Sequence, residues 1–210
     1  TGGRLLQVVG EACALKGDKS EVLLDLFCGA GLLGISLAAQ CKQVVGVEVV
    51  EDAVRDARAN AALNGLDNCT FIKGDLGKVA ASLGNKVPRP DIVVVDPNRA
   101  GMPQALVKFL HDTAPARIVY VSCNPATQAR DIKDLTQGIQ ARRTRRGAKT
   151  PHALSTDGVY ELVSVTPVDM FPHTAHVETV AVLQRVGSGL VGAGARAGAN
   201  AAVGQSRGDR

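Results

Sequence analysis

Five short apolar runs in the first 125 residues, each ending abruptly in an acid, a glycine turn or a cysteine, constrain the fold of this chain more than any other feature. They are Glu21-Val-Leu-Leu-Asp-Leu-Phe27, Val44-Val-Gly-Val-Glu48, Cys69-Thr-Phe-Ile-Lys-Gly-Asp75, Asp91-Ile-Val-Val-Val-Asp96 and Ile118-Val-Tyr-Val-Ser122. β-branched and aromatic residues dominate them, and runs this short and apolar read as buried strands. Helical spacing fills the gaps. Helices are predicted over 3–15, 33–39, 51–64 and 103–111, and over 127–135 with Asp131 and Asp134 facing outward. In the third of these, Val54, Ala57 and Ala61 share a face, and Asn64-Gly65 supplies a left-handed stop.

Strands alternating with helices predict an α/β fold with a mostly parallel, doubly wound sheet. The run at Asp91–Asp96 is continuously apolar and is placed centrally. Tyr160–Asp169 resumes strand character, and a polar turn over His173–Glu178 leads to a last strand, Thr179–Leu183, expected to run antiparallel. One domain is expected over 1–185. Within it, 138–158 carries Arg142, Arg143, Arg145, Arg146 and Lys149 among Thr, Gly and Pro, and is read as a mobile basic insertion. Gly and Ala dominate 186–210, which is read as a disordered tail.

Composition narrows the function classes. The chain has 210 residues, a net charge of +4 and only six aromatics, so the core must be aliphatic and an anionic partner is suited but not required. Five cysteines without a C-x-x-C pair argue against a disulfide framework and a zinc site, and favour a reducing intracellular compartment. No apolar run reaches the roughly 18 residues of a membrane span, so no membrane partner is expected; the chain is read as a monomer. Thr1 opens what reads as a helix in mid-protein, so an N-terminal part is expected upstream.

A parallel sheet gathers the ends of its strands on one edge, where open α/β folds bind ligands. Phe27 to Gly31, Glu48, Asp75, Asp96 and Cys123 all fall there. Gly29, Gly31 and Gly34 fit G-x-G-x-x-G, which lets backbone N–H groups approach a ligand, and Glu48, 14 residues after Gly34, can accept both ribose hydroxyls of an adenosine cofactor. A nicotinamide dehydrogenase and an S-adenosylmethionine (SAM) methyltransferase both satisfy this pattern. Asp25, four residues before Gly29, favours the methyltransferase, because dinucleotide strands usually enter their glycines through apolar residues. Asp96-Pro-Asn-Arg99 lacks the aromatic that amino methyltransferases carry at its fourth place, so an exocyclic amine is not the expected acceptor.

Asp96-Pro-x-Arg-x-Gly101, Ser122-Cys-Asn-Pro125 and Phe171-Pro-His-Thr-x-His-x-Glu178, in that order, make the chain closely resemble the RNA uracil-5-methyltransferases, from about Leu5 to Arg185. The resemblance implies a Rossmann-like methyltransferase fold, SAM as cofactor and RNA as substrate, with tRNA favoured over ribosomal RNA. It implies Cys123 as nucleophile and Glu178 as base, Asp96 and Arg99 as substrate-binding residues, and Phe27, Gly29, Gly31, Glu48, Asp75 and Asp96 as cofactor-binding ones. No metal is expected: His173 and His176 have no cysteine nearby, and Glu178 is better explained as the base. Asp75 has a second reading as the cap of a turn, and Cys13, Cys28, Cys41 and Cys69 are read as packing.

The chemistry accounts for these residue types. C5 of uracil is too weak a nucleophile until a thiolate adds to C6 and turns the ring into an enolate; afterwards a base must remove the C5 proton so that the thiolate can leave. Departures from the family pattern are Asn98, where proline or alanine is commoner, Leu32, where some members carry a polar residue, and a Phe-x-Gln-x-Asn segment and RNA-binding module expected upstream. Two other readings stay open: a methyltransferase of another substrate, in which Cys123→Ala keeps activity, and a non-catalytic RNA-binding or chaperone-like module, which binds RNA without SAM turnover.

Overall fold

A computed structural model describes residues 2–84, 87–137, 160–170, 172–174 and 176–187. The basic insertion expected at 138–158 and the tail from 188 onward lie outside this set. The described chain runs α1 (Gly2–Cys13), β1 (Val22–Leu26), α2 (Leu32–Leu37), β2 (Gln43–Glu48), α3 (Glu51–Leu63), β3 (Cys69–Lys73), α4 (Leu76–Leu83), β4 (Ile92–Val95), α5 (Gln104–Thr113), β5 (Arg117–Ser122), α6 (Pro125–Gln137), β6 (Tyr160–Val168) and β7 (Glu178–Arg185). None of these helices is long and apolar enough to cross a membrane.

The seven strands form one sheet in the order β3-β2-β1-β4-β5-β7-β6. β1 to β5 are parallel, as the strand–helix alternation predicts. β7 runs antiparallel to both β5 and β6, so the expected antiparallel last strand is present. It sits between two strands made before it.

Apolar residues at both parities of β1, β4 and β5 give the sheet two buried faces. On one, Leu24, Val93, Val95, Ile118 and Tyr120 pack beneath Leu83, Leu106, Leu110 and Leu135 of α4, α5 and α6. On the other, Leu23, Ile92, Val94, Val119 and Val121 meet Val8, Val9, Leu33 and Leu37 of α1 and α2. α3 adds Val54, Ala57 and Ala61, the face its spacing predicts, against Phe71. The five cysteines are free thiols. Burial pushes the Cys13 and Cys41 thiols up to about 12 and about 11, which suits their packing role.

Two expectations need correcting. Asp131 is fully buried, not outward-facing, because its carboxylate collects donors from three elements described below. α4 was not expected at all, although Leu76, Ala80 and Leu83 follow helical spacing just after Asp75.

Candidate active site

β1 ends at Leu26 because Phe27 takes a left-handed conformation, φ 63°, uncommon for a residue with a side chain. Its N–H and that of Cys28 both donate to Val47 O, at 3.0 and 3.2 Å, so the turn is fastened to β2. α2 then approaches β1 closely. A Cβ on Gly34 would stand 2.8 Å from Val44 Cγ1 and 2.9 Å from Asp25 Oδ2, which explains the last glycine of the motif. Gly34 N–H instead donates to buried Asp25 Oδ2 at 2.8 Å. Burial, together with Asp96 and Glu48, pushes the Asp25 carboxyl up to about 7, and its Oδ1 has no hydrogen-bond partner among the described residues.

Glu48 ends β2 with its carboxylate wrapped by backbone. Oε2 accepts from Gly29 N at 3.0 Å, and Oε1 from Val49 N and Val50 N at 2.7 and 2.9 Å. Asp75 follows β3 and accepts from Gly77 N at 2.9 Å, so it does cap the start of α4. Phe27, Glu48 and Asp75 nevertheless line one cavity of about 550 Å³, with Val47, Val49, Leu76, Met102 and Arg130 among its other walls. That volume, with one aromatic and two acidic residues among its lining, fits an adenosine-sized ligand.

The opposite wall is the turn after Asp96, where Asn98, Ala100, Gly101 and Met102 face the cavity. Asp131 holds it in place. Asp131 Oδ2 accepts from Met102 N at 2.7 Å and Tyr120 Oη at 2.8 Å, and Oδ1 accepts from Arg130 Nε at 2.8 Å. Arg130 Nη2 in turn donates to Ala100 O at 2.8 Å. Gly101, at φ 80°, passes so close that a Cβ would lie 2.5 Å from both Arg130 Nη2 and Asp131 Oδ2. The Gly101 end of the turn motif lines the cavity.

Beside the cavity, on the same sheet edge, β4, β5 and β7 deliver Asp96, Cys123 and Glu178. The β5–β7 ladder has Ser122 opposite Thr179 as its last pair, so Cys123 and Glu178 are the next residues where the strands part. Strand alternation keeps Asp96, Cys123 and Glu178 in step with Val94, Val121 and Val180, which share one face. All three are half-buried. Burial and the Glu178 carboxylate push the Asp96 carboxyl up to about 7, and burial raises Glu178 above the ordinary carboxylate range.

Asn124 secures the turn that carries Cys123. Its Nδ2 donates to Arg99 O at 3.0 Å, its N–H donates to Ser122 Oγ at 3.1 Å, and its Oδ1 accepts from Ala126 N at 3.2 Å at the start of α6. Arg99 is exposed, and among the described residues its guanidinium forms no ion pair with Asp96. Gly31, at φ 84°, precedes α2 and accepts from Ile35 N at 2.9 Å, away from the cavity walls. Asn98 and Arg130 were not among the expected site residues. Arg130 lies one residue before Asp131, and the spacing Gln128, Asp131, Leu135 was the signal that this polar pair turns inward.

A mostly parallel sheet with a reversed β7, an acid closing β2 and a nucleoside-sized cavity above it define the Rossmann-like class of SAM-dependent methyltransferases. Residues 5–148 match the family described as tRNA (Uracil-5-)-methyltransferase, and the chain belongs to that family. An Enterococcus faecalis protein named as an uncharacterized RNA methyltransferase is 44% identical over 181 residues, which is 86% of this chain and 35% of that protein. A Chlamydia trachomatis protein of the same name is 39% identical over 184 residues, 87% of this chain and 40% of that one. The chain thus spans 35–40% of these relatives' length. The crystal structure of Pyrococcus abyssi tRNA (uracil-54, C5)-methyltransferase in complex with S-adenosyl-L-homocysteine superposes with a TM-score of 0.65 at 35% identity, over 86% of this chain and 37% of that one.

Proposed function

We propose that this chain is the catalytic part of an enzyme that moves a methyl group from SAM to C5 of a uridine in RNA, with tRNA favoured over ribosomal RNA. The observation that carries the reading is the meeting of Asp96, Cys123 and Glu178 where the β5–β7 ladder opens, beside the cavity of Phe27, Glu48 and Asp75.

Glu48 would take the ribose hydroxyls and Phe27 and Asp75 the adenosine, with Gly29 N–H holding the Glu48 carboxylate in place. Bound there, SAM supplies the methyl group as an electrophile. The Cys123 thiolate adds to C6 of uracil, and the ring electrons shift toward C5 and O4. Asp96, its carboxyl pushed up to about 7, holds a proton below about that pH and can donate it as a hydrogen bond to O4, or accept one from N3–H when ionised. Once C5 is methylated, the Glu178 carboxylate takes the C5 proton; the electrons of that bond re-form C5=C6 and expel the thiolate. The target base must leave its stack to reach this edge, and exposed Arg99 is placed to meet an RNA phosphate. The free thiols accord with a reducing intracellular compartment, and the chain is read as acting as a monomer.

The test uses the full-length protein, SAM and RNA carrying 5-fluorouridine. Fluorine cannot leave C5 as a proton, so a methylated adduct stays bonded to the enzyme and retards it on a denaturing gel. The band should vanish in Cys123→Ala. Intact binding of RNA and SAM without any band would sink the proposal, in favour of another substrate or a non-catalytic module.

A further inference from the structure

We propose that Gln128 and Thr179 form a positioning clamp that holds the base against the nucleophile and thereby controls release of the methylated product. The inference rests on the uracil-5 reading above. Cys123 and Glu178 come from strands that separate immediately after the Ser122–Thr179 pair, so no backbone rung fixes their spacing. Side chains do so instead. Thr179 Oγ1 lies 3.1 Å from Ser122 O and 2.8 Å from Gln128 Oε1, where its proton is shared. Gln128 Nε2 donates to Tyr120 O at 2.9 Å and to Thr179 O at 3.3 Å. The amide is 3% exposed and every one of its groups is used. One buried side chain of α6 therefore grips both strands, at Tyr120 three residues before Cys123 and at Thr179 next to Glu178.

The two catalytic residues do not depend on this clamp equally. Cys123 is held independently, since Asn124 ties its turn to Arg99 and to the start of α6. Glu178 opens β7, and its remaining ladder partner is Val168 of β6, on the side away from Cys123. Loosening the clamp leaves the nucleophile in place and lets the base drift toward β6. Addition of the thiolate to C6 needs only Cys123. Removal of the C5 proton and expulsion of the thiolate need Glu178 as well.

The experiment compares full-length parent, Thr179→Val, Thr179→Ser and Gln128→Met on two RNAs. RNA with 5-fluorouridine reports formation of the adduct, because the reaction halts before release. RNA with ordinary uridine reports turnover and the fraction of enzyme bonded to RNA at steady state. We expect Thr179→Val and Gln128→Met to form the adduct within about twofold of the parent rate while turnover falls about tenfold or more and adduct accumulates on ordinary RNA. Thr179→Ser, which keeps the hydroxyl, should match the parent. Thr179→Val removes one hydrogen-bonding oxygen at nearly constant volume and decides the matter if Gln128→Met does not fold. Equal losses in adduct formation and turnover, or a Thr179→Ser as impaired as Thr179→Val, would show an ordinary packing role and overturn the clamp. A parent that forms no adduct on 5-fluorouridine RNA would instead overturn the uracil-5 reading, and the clamp with it.

Discussion

Replacing Asp131 by Asn changes almost no volume, so its effect isolates what the buried carboxylate does. The asparagine oxygen can still accept from Met102 N and Tyr120 Oη, now as neutral bonds. Its NH2 group must then face Arg130, whose Nε and Nη2 donate to Asp131 Oδ1 at 2.8 and 2.7 Å. Donor meets donor, and the guanidinium has to leave. Removing one partner of a buried pair costs about 3–5 kcal/mol. Because the Arg130 side chain is 35% exposed and can swing into water, the lower end applies, roughly 3 kcal/mol. For a domain of this size each kcal/mol moves Tm by about 2–4 °C, so thermal unfolding should shift down by about 6–12 °C. Affinity for SAM, read by calorimetry, should weaken too, because Arg130 also holds Ala100 O in the cavity wall. A shift below about 2 °C, as a surface substitution gives, would refute the reasoning and restore an outward-facing Asp131.

The folded chain holds a proton on Asp25 up to about pH 7, whereas an unfolded chain releases it near about pH 4. The stability contributed by neutral Asp25 is thus complete below about pH 4 and is lost as pH rises through about 7, by roughly 4 kcal/mol for a shift of about three units. Denaturant titrations should show Asp25→Asn losing less stability than the parent over that window; parallel curves would contradict the buried, proton-holding carboxyl. Glu48→Gln turns an NH2 toward one of the three backbone N–H groups and loses a charged acceptor for ribose, so the SAM Kd should rise about 10- to 100-fold. A Kd within about twofold of the parent, with the fold intact by circular dichroism, would remove Glu48 from the cofactor site.

The parallel sheet was legible because its strands are continuous apolar runs with abrupt ends, and those ends are what place Phe27, Glu48, Asp75, Asp96 and Cys123 on one edge. Glu178 was legible only through the family motif; as a residue in a polar stretch it carried no signal of its own. Asp131 was misread because a carboxylate on a helix ordinarily faces water, an expectation that outweighed the helical spacing it shares with Gln128 and Leu135; its three donors lie on Tyr120, Met102 and Arg130. Gln128, polar and on the same helix, escaped notice likewise. Arg99 was expected to bind substrate, and its described hydrogen bonds run through its backbone carbonyl, which accepts from Asn124 and Thr127.

The strand order β5-β7-β6 also dictates a sequence of events at the ribosome. Among the described strands, β6 touches the sheet only through β7, which is synthesised after all the others. Every wall of the nucleoside cavity has emerged by Arg130, but until Arg185 follows, the nascent chain carries an unpaired apolar edge along β5 and a β6 with nowhere to dock. Insertion of β7 closes that edge and brings Glu178 beside Cys123 in the same motion. A stalled or truncated nascent chain would therefore be sticky and would leave Cys123 without Glu178 beside it for one and the same topological reason.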